Sequence, residues 1–250
     1  MGSSECTIWV GQNNRNNKES AFIGPSCLVF HLSNIFYTKR TFQMLYYETI
    51  KPETLDLLRR IQKLGVYENT RLVGGTALAL QIGHRVSVDL DFFGVIQEES
   101  YAILQSLHTV SDVKLLSTSK DINVFLADGV KVDSVNYPYE WIDGVIEENG
   151  LRLASIKEIA AMKISAICNR GTKKDFVDLH FLLKRYSIRE LLNFYMQKYP
   201  DGSEFIVIKS LTYFEDAEED PMPFMLIPVE WKEIKKTITK VVEEEFKSRI

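Results

Sequence analysis

The 250 residues are enough for one large domain or two small ones around a real core, and a content of 45% hydrophobic and 26% charged residues is ordinary for a globular chain. A net charge of −4, from 30 basic and 34 acidic residues, excludes polynucleotide binding by bulk charge, so such a partner needs a local basic patch. Three cysteines with no Cys-x-x-Cys pair and four scattered histidines exclude a disulfide framework and a zinc site of familiar spacing. No run approaches the roughly 18 apolar residues of a membrane span, and the expectation is a cytoplasmic protein without membrane contact.

Residues 1–43 carry a polar run at 12–20, a Gly24-Pro25 turn and no clear periodicity. They read as an accessory extension, with Met44 as the natural start; an extra strand or arm packed on the domain is the alternative. Pro52 and Glu53 then precede Leu55, Leu57, Leu58, Ile61 and Leu64, an apolar stripe at helical spacing that Gly65 stops. Residues 71–73 read as a short strand running into Gly74-Gly75-Thr76, and residues 77–82 as a compact helix. Residues 87–93 alternate, which predicts a strand with Val88, Leu90 and Phe92 on one face and Asp89 and Asp91 on the other. A helix follows at about 97–109. Alternating runs at 113–116 and 122–126 flank a polar turn, and the Asp128-Gly129 hairpin signal leads to a third strand at 130–135.

From Leu153 the pattern turns helical. Ser155-x-x-Glu158 reads as a capping box opening a helix to about Asn169. Gly171 stops it, and Thr172-x-x-Asp175 reads as a second cap of the same kind. Helices continue through Leu183 and over 189–198. Asp201-Gly202 and Pro221-Met222-Pro223 are punctuation before an amphipathic last helix from about Val229. The expected class is α+β, a small mixed-sheet core over 44–150 followed by a helical region over 151–250. Arg170, Lys173 and Lys174 could form a basic patch, though a solvated helix end explains them equally well.

The chemistry lies in Gly74-Gly75-Thr76, Asp89-x-Asp91 and Asp133. Carboxylates at i and i+2 of a strand share a face, with a rise of roughly 3.3 Å per residue, and can ligate hard divalent cations such as magnesium or manganese. A third carboxylate from a neighbouring strand completes a site for two metals about 3.5–4 Å apart, the arrangement suited to in-line phosphoryl displacement. Asp133 can supply it, and can also help deprotonate an attacking hydroxyl. Side-chain-free residues let backbone N–H groups and a helix N-terminus approach a triphosphate, and the Thr76 hydroxyl can add a donor. Either motif alone is weak; the two in this order, about fifteen residues apart, are far more specific.

The stretch over residues 72–80 (Leu-Val-Gly-Gly-Thr-Ala-Leu-Ala-Leu), followed by His84-Arg85-Val86-Ser87-Val88-Asp89-Leu90-Asp91-Phe92-Phe93, resembles the AbiEii/AbiGii nucleotidyltransferase toxin family of the DNA polymerase beta-like nucleotidyltransferase superfamily. Lys163, the run Arg170-Gly171-Thr172-Lys173-Lys174-Asp175-Phe176, Asp178, and the segment 211–223 agree with it. The resemblance spans roughly Met44 to the C-terminus. It implies a nucleotidyltransferase core, a helical C-terminal region completing the site, and transfer of a nucleotide from an NTP such as ATP to an acceptor. It also implies a toxin of a type IV toxin–antitoxin or phage-defence system, a cognate antitoxin encoded nearby, and tRNA as one acceptor. Carried over by residue, Gly74, Gly75 and Thr76 are the nucleotide turn, and Asp89 and Asp91 the metal pair. Ser87, just before that pair, is placed with the nucleotide-binding residues, and Lys163 and Asp178 match a distal Lys-and-Asp motif that completes the site, with Lys163 expected to contact the nucleotide phosphates. The wider superfamily commonly has Gly-Ser at the turn, where this chain has Gly-Gly-Thr.

Plainer readings exist for each residue. Asp133 can simply face solvent, Lys163 can snorkel from an apolar helix face, and Asp175 reads as a helix cap before a catalytic group. Arg85 can grip phosphate or pair with an acid, and His84 reads as a packed or surface histidine. A kinase is excluded by Val86 after His84-Arg85 and by the missing glycine loop, and no P-loop is present. The rival from another class is a non-catalytic protein of this fold that binds RNA or a protein; three retained acids argue against it. The acceptor, whether tRNA, a protein hydroxyl or a small molecule, is not chosen by the sequence.

Overall fold

The computed structural model describes residues 45–247, and the expected extension over 1–43 lies outside them. Helix α1 (Pro52–Ile61) opens on proline, whose missing N–H would be unpaired there in any case, and buries Leu57, Leu58 and Ile61. Strand β1 (Thr70–Val73) runs directly into α2 (Gly74–Ile82), which is buried from Thr76 onward and so lies inside the fold. Then come β2 (Leu90–Gly94), α3 (Ser100–His108), and the meander β3 (Val113–Thr118), β4 (Ile122–Ala127) and β5 (Val130–Asn136). A hairpin of β6 (Ile146–Glu148) and β7 (Leu151–Leu153) precedes α4 (Ile156–Asn169), α5 (Lys173–Leu182), α6 (Ile188–Lys198), α7 (Glu204–Leu211) and α8 (Trp231–Lys247).

The described strands form one seven-stranded sheet in the order β3-β4-β5-β2-β1-β7-β6. Only β2–β5 and β1–β7 pair in parallel, so the sheet is mixed and the class is α+β, as expected. Phe92, Phe125, Val132 and Leu72 are fully buried on it. Tyr67 stacks edge-on to Phe92 with centroids 5.0 Å apart, and its hydroxyl is shared with Ser134 Oγ at 2.6 Å. Helix α4 packs against α2, α5, α6 and α7. Among the described residues, no helix is long and apolar enough to cross a membrane.

Four local expectations are corrected. The strand expected from Ser87 begins only at Leu90. Val88 is 53% exposed and shares no face with Leu90 and Phe92. Residues 84–87 run beside another segment instead: Val86 N–H donates to the Phe224 carbonyl at 2.8 Å, and Leu226 N–H to the His84 carbonyl at 3.0 Å. The boundary at residue 150 falls in the β6–β7 turn, and β7 pairs with β1 at Leu72–Leu153, so the sheet reaches into the region read as helical. Helix α7 lies between Asp201-Gly202 and Pro221-Met222-Pro223, where no helix was expected.

The caps differ too. Ser155 Oγ accepts from Glu158 N–H at 3.2 Å, but the Glu158 carboxylate turns inward to Ile142 N–H and Lys198. Thr172 makes no side-chain cap at all. The reciprocal capping box stands at Ser187 and Glu190, before α6.

Candidate active site

Strand register gathers the expected acids. Asp91 lies opposite Val73 on the antiparallel β1 and opposite Asp133 on the parallel β5. One row across three strands therefore holds the end of β1, where the glycine turn starts, and two carboxylates. Asp89 precedes β2, and its side chain is 35% exposed. The turn is made of glycine for a steric reason. Gly74 has φ +68, where side chains are rarely tolerated, and a Cβ there would fall inside the Asp91 carboxylate. A Cβ on Gly75 would overlap Arg85 Nη2 and come within 3.2 Å of Ser87 Oγ.

Two cavities meet at this row. The smaller, about 300 Å³, holds Gly75, Ser87 and Asp89, with Lys131, Lys174 and Phe224 at its sides. The larger, about 700 Å³, runs between the sheet and the helices past Phe93, Tyr137, Tyr139 and Met162. Gly74, Asp91, Asp133, Lys163 and Arg170 line both.

Beneath them lies a buried ionic brace. Arg85 Nε and Nη2 donate to the two Asp178 carboxylate oxygens at 2.7 and 2.9 Å, a bidentate pair. Lys163 Nζ reaches Asp178 Oδ2 at 2.7 Å and Asp175 Oδ1 at 2.9 Å, and the Thr172 hydroxyl donates to Asp175. His84 Nε2 lies 2.7 Å from Asp178 Oδ1. Two cations meet two anions, so the brace is neutral while His84 is uncharged.

The profile of the family described as nucleotidyl transferase AbiEii toxin, Type IV TA system, matches residues 56–248. An uncharacterized protein of Aquifex aeolicus (strain VF5) is 36% identical over 201 residues, 78% of this chain and 97% of that one. The chain belongs to the AbiEii nucleotidyltransferase toxin family. Among solved structures, a candidate nucleotidyltransferase from H. pylori has the same fold, with a TM-score of 0.53 at 21% identity over 79% of this chain and 96% of that one. The nucleotidyltransferase toxin MenT4 from Mycobacterium tuberculosis H37Rv gives a TM-score of 0.46 at 16% identity, over 77% and 86% of the two chains.

This AbiEii chain is thus a transferase, and its structure redistributes the roles expected of single residues. Thr76, expected to donate to phosphate, is buried, and its hydroxyl bonds the Asp89 carbonyl and Ser87 Oγ. It holds the loop that carries Asp89. Arg85 is neither free nor forked toward the cavity, because its guanidinium is spent on Asp178 and the Val86 carbonyl. Lys163 does not snorkel; it is buried between two acids. Burial opposes its charge, but Asp178 and then Asp175 raise its pKa above the usual lysine value. Asp175 is an ion-pair partner and no cap. Asp178, expected to complete the site directly, lies fully buried beneath it; burial opposes its ionisation, yet Arg85 and Lys163 hold its carboxyl well below the ordinary range. His84 is a packed histidine whose pKa burial lowers. Since a carboxylate only accepts, neutral His84 donates from Nε2. Of the expected basic patch, Lys173 is buried against the Glu218 carbonyl and the Asp220 backbone, leaving Arg170 and Lys174 at the cavity.

The oxygens at the row fit divalent cations. Burial, then the neighbouring Asp133, push the Asp91 carboxyl up to about 6, with Asp89 adding to the repulsion. Asp133 Oδ1 is buried without a hydrogen-bond partner. Asp133 Oδ2 takes Lys131 Nζ at 2.6 Å, and Asp89 has Lys174 Nζ at 3.8 Å. Among the described residues, no three His, Cys, Asp or Glu side chains converge into a ready ligand cage; two acids lean on lysines instead. Sequence reading missed Lys131, and offered Lys174 only as part of a basic patch. Lys131-x-Asp133 carried a signal, since residues two apart on a strand share a face.

Proposed function

We propose that this chain transfers a nucleotide from an NTP to an acceptor hydroxyl, with Asp89, Asp91 and Asp133 gathering divalent cations, magnesium or manganese. The observation that carries this is the in-register pair Asp91–Asp133 beside a glycine turn that the Asp91 carboxylate itself requires. The cations would neutralise charge on the reacting phosphate oxygens. The α2 N-terminus offers backbone N–H groups to the triphosphate, and Lys174 and Arg170 add positive charge beside it. The acceptor oxygen bonds to the α-phosphorus while the bond to the β-phosphate oxygen breaks, releasing pyrophosphate. The hydroxyl proton passes to Asp133 Oδ1, the carboxylate oxygen without a partner. Thr76, Arg85, Lys163 and Asp178 act as positioning residues, holding the turn and the Asp89 loop from behind.

The test is incubation with each labelled NTP, magnesium and separate RNA and protein fractions. Label should enter one fraction, and Asp91→Asn and Asp133→Asn should each reduce incorporation at least a hundredfold. Full transfer by both variants would remove the row from the reaction.

The family description as a type IV toxin supports a further reading: a cytoplasmic toxin of a toxin–antitoxin or phage-defence pair, restrained by a cognate antitoxin, with tRNA as acceptor. Expression should then slow bacterial growth, and Asp91→Ala, accumulated to the same level, should not. Equal toxicity of that variant would separate growth inhibition from nucleotidyl transfer.

A further inference from the structure

The larger cavity has one wall made of tyrosines. The Tyr137 and Tyr199 hydroxyls share a hydrogen bond of 2.8 Å. Tyr139 meets Tyr199 edge-on at 4.9 Å between centroids and Tyr137 at 5.2 Å, and Tyr195 lies 5.2 Å from Tyr199. Two of the polar ends are spent on each other, so the wall offers aromatic surface. It is backed by a buried ion pair, Lys198 with Glu158, whose ammonium lies 4.7 Å from the Tyr137 ring centroid and 5.0 Å from that of Trp141. The chain also closes tightly against it: a Cβ on Gly202 would sit 2.6 Å from Tyr195 Cε1.

Core packing does not explain Tyr139, which is 45% exposed at the cavity. The cavity is continuous with Gly74, Asp91 and Asp133, and about 700 Å³ falls within the roughly 300–1,000 Å³ of small-molecule sites. The smaller cavity on the other side of the row holds the glycine turn, Lys131 and Lys174, which suit phosphates. A ligand with a polyanionic end and a flat aromatic end matches this division. Stacking on tyrosine accepts any base, because every base has a π-face.

We propose that the tyrosine wall, with Tyr139 at its open end, is the stacking platform for the base of the incoming NTP. This rests on the transferase reading above, which puts the triphosphate in the smaller cavity. The full chain is titrated in magnesium with each of the four NTPs and with inorganic tripolyphosphate, by equilibrium dialysis. At least one NTP should bind more tightly than tripolyphosphate. Tyr139→Ala should weaken that NTP about tenfold, Tyr139→Phe should restore it, and tripolyphosphate should bind all three proteins alike. Unchanged NTP affinity in Tyr139→Ala, with an unaltered melt, overturns the platform and leaves the transferase reading standing. Equal affinity of the wild type for NTPs and tripolyphosphate does the same. Absence of binding by every NTP and by tripolyphosphate overturns both.

Discussion

Asp91 is held where its charge is unwelcome, partly buried and faced by Asp133 and Asp89. Its pKa of about 6 against 3.8 for the free group means that between about pH 4 and 6 the folded protein keeps a proton the unfolded chain has released. Metal-free stability should therefore fall as pH rises through that window and level off above it, by at most about 3 kcal/mol. Asp91→Asn should flatten this slope and, in EDTA at pH 7.5, melt no lower than the wild type. Magnesium at 100 times its dissociation constant should add about 2.7 kcal/mol to the wild type and far less to the variant. Melts in EDTA from pH 4 to 8 check both; an unchanged slope in the variant would contradict the strained carboxylate. Gly74, Asp89 and Asp91 were legible in the sequence because each is a local pattern. The work of Arg85 was not, because its partner Asp178 lies 93 residues away and nothing local announces the pairing.

Helices α4 and α5 contribute to the site chiefly through the brace. Lys163 comes from the first, Asp175 and Asp178 from the second, and Asp178 in turn holds His84 and Arg85. Removing one member of a buried pair costs about 3–5 kcal/mol, because the remaining charge stays buried. Lys163→Met should therefore destabilise the fold by about that much, where a merely snorkelling lysine would lose little. Adding Asp175→Asn should recover part of the loss, since Asp178 retains Arg85 and His84. Urea unfolding of the two single variants and the double variant measures the coupling, and additive losses would mean that Lys163 and Asp175 act independently. Elements with several periods of pattern, such as α1, β4, β5 and α8, were readable from sequence. The three-residue strands β6 and β7 were not, because three residues carry no periodicity and their pairing is set by β1. Ser155 caps α4 as its signal said, but the reciprocal bond from Glu158 and the side-chain cap at Thr172 are missing for a related reason: Glu158 and Asp175 are claimed by buried lysines.

The described chain closes its core from Leu45 to Val242, each 4% exposed. Its first residues are fastened to the site. Tyr46 N–H donates to the Leu80 carbonyl at 2.8 Å, Ser87 N–H to the Thr49 carbonyl at 2.9 Å, and the Tyr46 ring packs over Gly83. A chain beginning at Met44 keeps all of these and should melt within a few degrees of the full-length protein, with its transfer activity intact. A chain beginning at Lys51 should behave differently, although the family match starts only at residue 56. It loses buried Leu45 and Ile50, worth about 1.5–3 kcal/mol each, and frees the backbone of Ser87 beside Asp89. Its melting point should drop by about 6–24 °C at roughly 2–4 °C per kcal/mol, and its activity should fall with it. Calorimetry on the three chains decides the matter. A Met44 chain that melts as low as the Lys51 chain would show that residues 1–43 belong to the folded core.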